Sequence, residues 1–85
     1  MKLEVITKPG CPKCVWLKGQ LNKDPLGQIV VYRDYLEFPQ EFYDTYDLKY
    51  VPVVLIYNDD NILLAFNRGI TIKSIEKAIS EHCLT

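Results

Sequence analysis

The sequence predicts an α/β fold in which one four-stranded mixed sheet is flanked by helices. Four short apolar runs, the first three of them rich in β-branched residues, are interspersed with segments that have helical spacing. A helix-like segment separates the first two runs, as in a parallel βαβ unit, which is almost always right-handed. A short polar turn separates the last two, which is typical of an antiparallel hairpin. The predicted order is β-α-β-α-β-β-α, in one domain spanning residues 1–85.

The first half of the chain begins with a strand at Lys2–Thr7, which we expect to be a central, parallel strand because it leads straight into a helix. Pro9-Gly10 ends the strand. The next helix is predicted from Pro12 to about Lys23. Its apolar positions are Cys14, Val15, Leu17 and Leu21.

A turn cluster at Asn22–Gly27 precedes a second predicted strand, Gln28–Tyr32. Arg33–Glu37 leads out of this strand towards a second helix, predicted at Gln40–Leu48. Aromatic residues four positions apart give this helix one aromatic face, which indicates packing in the core and at its rim. These residues are Phe38, Phe42 and Tyr46, with Tyr43 beside them.

The second half of the chain contains the predicted hairpin. Val53–Tyr57 and Ile62–Phe66 are its strands, and Asn58–Asn61 is its polar turn. Thr71 is the predicted N-cap of a last helix from Ile72 to about Glu81. The apolar face of this helix comprises Ile72, Ile75, Ala78, Ile79 and Cys83, and we expect Cys83 to be a small core residue.

The motif Cys11-Pro12-Lys13-Cys14 lies where the first strand gives way to the first helix, a position typical of a redox dithiol. Cys11 would occupy the N-cap region, where unpaired N–H groups and the helix dipole stabilise a thiolate. Pro12 would be the first helical residue, where its missing N–H is not needed. Lys8 and Lys13 add positive charge, although both could also be simple solubilising residues. We therefore expect the pKa of the Cys11 thiol to lie below that of a free cysteine.

The alternative for this cysteine pair is half of a zinc site, which would need two further ligands. The candidates are His82 and Cys83. Neighbouring residues on a helix point about 100° apart, so both can hardly reach one ion. We therefore favour redox chemistry and predict no bound metal.

Composition narrows the remaining classes of function. A net charge of −1 gives no reason to expect nucleic acid or an acidic membrane as a partner. No apolar stretch approaches the roughly 20 residues of a membrane span. Because the N-terminus enters the first predicted strand directly, we expect no signal peptide, and three cysteines are too few for a disulfide-stapled secreted domain. We expect a monomer in the reducing cytoplasm.

At these motifs the chain resembles the glutaredoxin/thioredoxin superfamily, and within it the small glutaredoxins and glutaredoxin-like thioredoxins. The resemblance covers nearly the whole chain. It rests on Lys8-x-x-Cys11-Pro12-Lys13-Cys14 after the first strand, Val51-Pro52 before the third, and Gly69 ahead of the last helix. It implies a thioredoxin fold.

The resemblance also implies roles for individual residues. Cys11 would be the attacking thiol and Cys14 the resolving thiol. Val51-Pro52 would carry a cis peptide bond, and the backbone before the proline would pair with the substrate chain as an added strand. The residues implied to bind substrate or glutathione are Lys8, Pro12, Lys13, Tyr50, Val51, Pro52, Gly69 and Thr71. Among them, Lys8 and Tyr50 would flank the groove, and Thr71 would offer its hydroxyl and backbone N–H groups to a carboxylate.

The sequence departs from both subfamilies at recognisable places. Many glutaredoxins have a Gly-Gly pair followed by acidic residues at the last helix, whereas this chain has Arg68-Gly69-Ile70-Thr71. Lys13 stands where many glutaredoxins have an aromatic residue, and the Trp-Cys-Gly-Pro-Cys of ordinary thioredoxins is absent. Trp16 follows the motif instead, where it could either face substrate or pack in the core.

By resemblance, the reaction is thiol–disulfide exchange with no bound cofactor. Electrons would come from glutathione or from a thioredoxin reductase with NADPH. The substrates would be disulfide-containing proteins, with ribonucleotide reductase as one candidate. Two alternatives stay open: a non-catalytic peptide-binding module of the same fold, and an iron–sulfur carrier in which two subunits share a cluster.

Overall fold

The computed structural model of the protein describes residues 1–58 and 62–83, and for Cys83 the backbone alone. Within these ranges the chain forms four strands and three α-helices in the predicted order. The strands are β1 (Lys2–Thr7), β2 (Val30–Asp34), β3 (Val53–Tyr57) and β4 (Ile62–Phe66). The helices are α1 (Pro12–Asn22), α2 (Gln40–Thr45) and α3 (Ile72–Cys83). Two 3₁₀ helices, Pro25–Ile29 and Tyr35–Glu37, flank β2.

The four described strands make one mixed sheet in the order β2-β1-β3-β4. β1 is central, as predicted; it runs parallel to β2 and antiparallel to β3, and β3 pairs with β4 as an antiparallel hairpin. Thr7 pairs with Asp34 at the carboxyl end of the parallel pair. The loop that leaves this end of β1 carries Cys11, so the motif lies at the sheet edge where open α/β sheets place their sites.

Alternating side chains along the central strands divide the core into two layers. On one face, Leu3 and Val5 of β1 pack with Val54 and Ile56 of β3 beneath α1 and α3, which contribute Leu17, Leu21, Ile75 and Ala78. On the other face, Ile6, Val53 and Leu55 pack with Tyr43 of α2 and with Leu48. Helices therefore cover both faces of the sheet, as the sequence predicts.

The second strand begins two residues later than predicted, at Val30 instead of Gln28. The intervening residues form a 3₁₀ helix, which Pro25 opens and Asp24 caps. The Asp24 carboxylate accepts a hydrogen bond from the Leu26 N–H at 3.0 Å. This local cap outweighs the β preference of Ile29.

The second helix ends at Thr45, three residues before the predicted end at Leu48. Asp47 has a φ of 54°, a left-handed conformation that ends a right-handed helix. The Leu48 N–H then donates to the Tyr43 carbonyl at 2.8 Å, which satisfies a carbonyl of the last turn. The aromatic prediction is confirmed: Tyr43 is buried, Phe42 is half-buried and Tyr46 lies at the rim.

The prediction that Val15 belongs to the apolar face of α1 is wrong, since its side chain is 72% exposed. The buried side of α1 is formed by Cys14, Leu17 and Leu21, which are three and four positions apart. Val15 lies outside that stripe. Two further predictions fall outside the described residues: most of the polar turn at residues 58–61, and the packing of the Cys83 side chain.

Candidate active site

Cys11 and Cys14 are joined by a disulfide bond, with their Cα atoms 5.2 Å apart. Cys11 is the N-cap of α1 and Pro12 is its first residue, which confirms both predictions. The Cys11 side chain is half-buried, whereas Cys14 is only 4% exposed. An incoming disulfide can therefore reach the first sulfur from solvent, and the second sulfur lies behind it in the helix.

The start of α1 supplies the positive potential that a Cys11 thiolate needs. The Cys14 N–H donates to the Cys11 Sγ atom at 3.2 Å, and the Val15 N–H donates to the Cys11 carbonyl at 3.2 Å. No acidic residue lies in the first turn of the helix, whereas Lys13 does. In the reduced protein, the hydrogen bond and the helix dipole both favour the charged form of Cys11.

The loop before β3 forms the wall facing the cysteines. The Val51–Pro52 peptide bond is cis, as the resemblance implies, and Pro52 is buried. The Val51 carbonyl oxygen lies 3.8 Å from Cys11 Sγ. In the same loop, the Tyr50 carbonyl accepts a hydrogen bond from the Asn67 Nδ2 atom at 2.9 Å. The loop is thus held between the cysteine motif and the chain that follows β4.

A cavity of about 510 Å³, here called the main groove, runs between α1, the loop before β3 and the connection from β4 to α3. Six residues that the resemblance implies for binding line it: Lys13, Tyr50, Val51, Pro52, Gly69 and Thr71. Trp16, Asn67 and Arg68 line it as well. The sequence left the role of Trp16 open and assigned no site role to Asn67 or Arg68, although Arg68 directly precedes Gly69.

Lys8 lies in a second, smaller groove of about 240 Å³, together with Tyr35 and Lys49. Its Nζ atom is 5.6 Å from the centre of the Tyr35 ring, within cation–π range. Tyr50 and Val51 line both grooves, so they form the boundary between them. Pro12 is exposed at the first position of α1.

Thr71 caps α3, as predicted. Its hydroxyl oxygen accepts from the Ser74 N–H at 3.0 Å, and its own N–H donates to the Ser74 hydroxyl oxygen at 2.7 Å. Gly69 precedes the cap with a φ of 62°, a conformation that favours glycine. The Thr71 N–H and the Thr71 hydroxyl oxygen are therefore both engaged within the cap, and Thr71 contributes to the lining of the main groove.

Residues 1–58 and 62–83 contain no group of three or more His, Cys, Asp or Glu side chains placed to hold a metal ion. Among these same residues, no helix has the length and apolar character needed to cross a membrane.

Neither a family model nor a curated protein sequence matches the chain. Solved structures do match it. Thioredoxin 1 from Thermosipho africanus TCF52B superposes with a TM-score of 0.69 at 18% identity, over 95% of this chain and 92% of that one. A malarial protein gives 0.67 at 12% identity, over 96% of both chains. The thioredoxin Mala s 13 from Malassezia sympodialis gives 0.62 at 14% identity, over 94% of this chain and 72% of that one. The chain is therefore a thioredoxin-fold protein.

Proposed function

We propose that the protein is a thiol–disulfide oxidoreductase that reduces disulfide bonds in other proteins through Cys11 and Cys14. The observation that carries this proposal is the arrangement of the two sulfurs at the start of α1. Cys11 is accessible and accepts a hydrogen bond from a helix N-terminal N–H group, and Cys14 is buried within bonding distance of it.

The reaction begins with the reduced protein. The Cys11 thiolate attacks one sulfur of the substrate disulfide, forms a mixed disulfide and expels the other substrate sulfur as a thiolate. Cys14 then loses its proton and attacks the Cys11 sulfur, which breaks the mixed disulfide and releases the second substrate thiolate. Two electrons pass to the substrate, protons from solvent complete its two thiols, and Cys11–Cys14 ends as a disulfide.

The substrate chain binds beside Val51 as an added strand, because a backbone carbonyl there lies next to the reacting sulfur. Lys13, Tyr50, Pro52, Gly69 and Thr71 line the main groove that receives it. Lys8 lies on the other side of Tyr50 and Pro12 is exposed beside the cysteines, so both can contact parts of the substrate outside the main groove.

The cycle closes when two electrons return to Cys11–Cys14 from outside the protein. Glutathione supplies them as two molecules oxidised to one glutathione disulfide, or a thioredoxin reductase supplies them from NADPH. Ribonucleotide reductase, which forms a disulfide in its own reaction, is a candidate substrate in the cytoplasm. These assignments rest on the resemblance to dithiol glutaredoxins and glutaredoxin-like thioredoxins.

Insulin reduction tests the proposed function. Wild type should reduce insulin disulfides when NADPH is supplied together with either glutathione and glutathione reductase or a thioredoxin reductase. Cys11→Ser should be inactive in the same assay. Cys14→Ser should accumulate mixed disulfides with the substrate, detectable by mass spectrometry. Cys83→Ser is the matched control, since it removes a thiol outside the motif and should retain activity. Equal insulin reduction by Cys11→Ser and wild type would refute the proposal.

The reductant is identified by presenting the oxidised protein with two complete systems. One contains NADPH, glutathione reductase and glutathione, and the other contains NADPH and a thioredoxin reductase. The electron source is the system in which wild type consumes NADPH and Cys11→Ser does not. Failure of both systems to reduce the Cys11–Cys14 bond would remove both candidates.

A further inference from the structure

The main groove combines exposed aromatic rings with cationic side chains. Trp16 is 51% exposed and Tyr50 is 62% exposed, although both are large rings that gain by burial. Lys13 and Arg68 line the same cavity, and neither forms an ion pair with a carboxylate of the described residues. No acidic residue is among those that line the main groove.

This positive character is local. The chain as a whole has a net charge of −1. Lys8 and Lys49 lie just beyond Tyr50 in the second groove, so cations are present on both sides of the loop that faces Cys11. The Lys49 partner, Asp47, is 3.9 Å away and both side chains are exposed, so this pair neutralises the region only weakly. Concave sites lined by charge of one sign attract ligands of the opposite sign.

We propose that the main groove selects disulfides of protein segments that carry an acidic residue and an aromatic residue next to the reacting cysteine. Trp16 and Tyr50 receive the aromatic side chain, and Lys13 and Arg68 receive the carboxylate. This inference rests on the proposed function, since the segment must present its disulfide to Cys11.

The two kinds of contact have different consequences. Burial of apolar surface against Trp16 and Tyr50 holds the segment in the cavity, whose volume of about 510 Å³ accommodates more than one side chain. Lys13 and Arg68 act mainly on the rate of encounter and on discrimination between substrates. The preference for acidic segments therefore weakens as salt rises, whereas the preference for aromatic segments persists.

Symmetric peptide disulfides test this inference. Each peptide carries one cysteine with a flanking pair Glu/Trp, Gln/Trp, Lys/Trp or Glu/Ala. Pre-reduced protein is mixed with each peptide, samples are quenched in acid, and second-order rate constants are measured at low and high salt. The rate constant for reduction of each peptide by dithiothreitol is measured under the same conditions. Dividing the rate constant of the protein by this value corrects for the intrinsic reactivity of the peptide.

After this correction, wild type should reduce the Glu/Trp peptide about tenfold faster than the Lys/Trp peptide at low salt, and the ratio should shrink at high salt. Arg68→Gln and Lys13→Gln should each lower this ratio. Trp16→Ala should lower the ratio of Glu/Trp to Glu/Ala rates. Lys23→Gln is the matched control, because Lys23 is an exposed cation beyond the far end of α1 and its loss should leave the ratios unchanged.

Equal corrected rates for all four peptides would overturn the inference while leaving the proposed function intact. An effect of Lys23→Gln as large as that of Arg68→Gln would also overturn it, since general attraction by net charge would then explain the preference. If wild type reduced no peptide faster than Cys11→Ser, the proposed function itself would fail and the inference with it.

Discussion

Tyr43 shows how one side chain joins α2 to the remainder of the fold. Its ring is 1% exposed and stacks on Tyr35, with ring centres 4.4 Å apart. Its hydroxyl donates to the Tyr35 carbonyl at 2.6 Å. Burial, followed by the nearby charges of Tyr35, Asp34 and Glu37, raises the pKa of Tyr43 from 10.0 to about 12. The folded protein therefore holds a proton that the unfolded chain releases at lower pH.

This difference predicts a loss of stability in alkali. Below pH 10 Tyr43 is protonated in both states, and its contribution is fully present. Between pH 10 and about 12 the unfolded chain binds fewer protons than the folded protein, so the free energy of unfolding falls as pH rises. Urea denaturation followed at several pH values from 8 to 12 measures this decline.

Tyr43→Phe separates the roles of the ring and the hydroxyl. It should cost about 1 kcal/mol at neutral pH through the lost hydrogen bond. It should also reduce the fall in the free energy of unfolding at alkaline pH. Part of that fall should remain, because burial and the Glu4 hydrogen bond raise the pKa of Tyr57 to about 12 as well. Tyr50→Phe, which changes an exposed ring, should alter neither quantity. An unchanged pH profile in Tyr43→Phe would contradict the assignment.

The individual site residues differ in how well the sequence predicts them. Cys11, Pro12 and Cys14 are neighbours in the chain, so their spacing alone places them at one helix N-terminus. Asn67 and Tyr50 are 17 positions apart, and their contact depends on how β4 lies beside β3. No local pattern marks that contact, which is why Asn67 and Arg68 became visible as site residues only in the folded chain.

Gly27 is required by the contact between α1 and the 3₁₀ helix that follows it. A Cβ atom at this position would overlap the Leu21 carbonyl group, which is backbone and cannot turn aside. Gly27→Ala should therefore destabilise the protein by about 1–3 kcal/mol, as overpacking usually does.

Gly19 provides the matched control within α1. A Cβ atom there meets nothing within 4 Å, and the position is exposed. Gly19→Ala should stabilise the protein by about 0.5–1 kcal/mol, since alanine is the better helix former. Urea midpoints of the two variants give the comparison. Equal midpoints would show that the close approach at Gly27 does not constrain the fold.

The Asn67 side chain ties the end of β4 to the loop that carries Pro52. Asn67→Leu keeps a side chain of similar size and adds no charge, but it removes the N–H donor that binds the Tyr50 carbonyl. Its kcat/KM for insulin should fall between about two- and tenfold, as expected for one hydrogen bond. Alkylation of reduced Cys11 by iodoacetamide should not change, because the loop positions substrate and not the sulfur. Equal losses in both assays would indicate a general structural role instead.

The elements themselves follow the sequence where one signal dominates. Val53–Tyr57 and Ile62–Phe66 have the predicted bounds, because each is a continuous apolar run that ends at turn-forming residues. β2 and α2 depart from their predicted bounds where two sequence signals compete. The Asp24 cap converts the start of the predicted second strand into a 3₁₀ helix, and the left-handed Asp47 shortens the second helix. Capping and positive φ depend on backbone geometry that residue patterns indicate poorly.

Taken as a whole, the molecule builds its candidate site from three distant parts of one chain. β1 delivers Cys11, the loop before β3 delivers Val51, and the connection after β4 delivers Asn67. The pairing of β1 with β3 fixes the first two relative to each other. Because the site needs the complete sheet, variants that loosen the sheet should disturb both the shape of the main groove and the placement of the cysteine sulfurs.

The reactivity of Cys11 is the property on which the proposed chemistry depends. The pH dependence of iodoacetamide alkylation, read for each cysteine by peptide mass spectrometry of the reduced protein, measures it directly. We expect Cys11 to react first and its pKa to lie below that of a free cysteine, with buried Cys14 protected until the protein unfolds. A Cys11 pKa at or above that of a free thiol, or earlier alkylation of Cys14, would contradict the account.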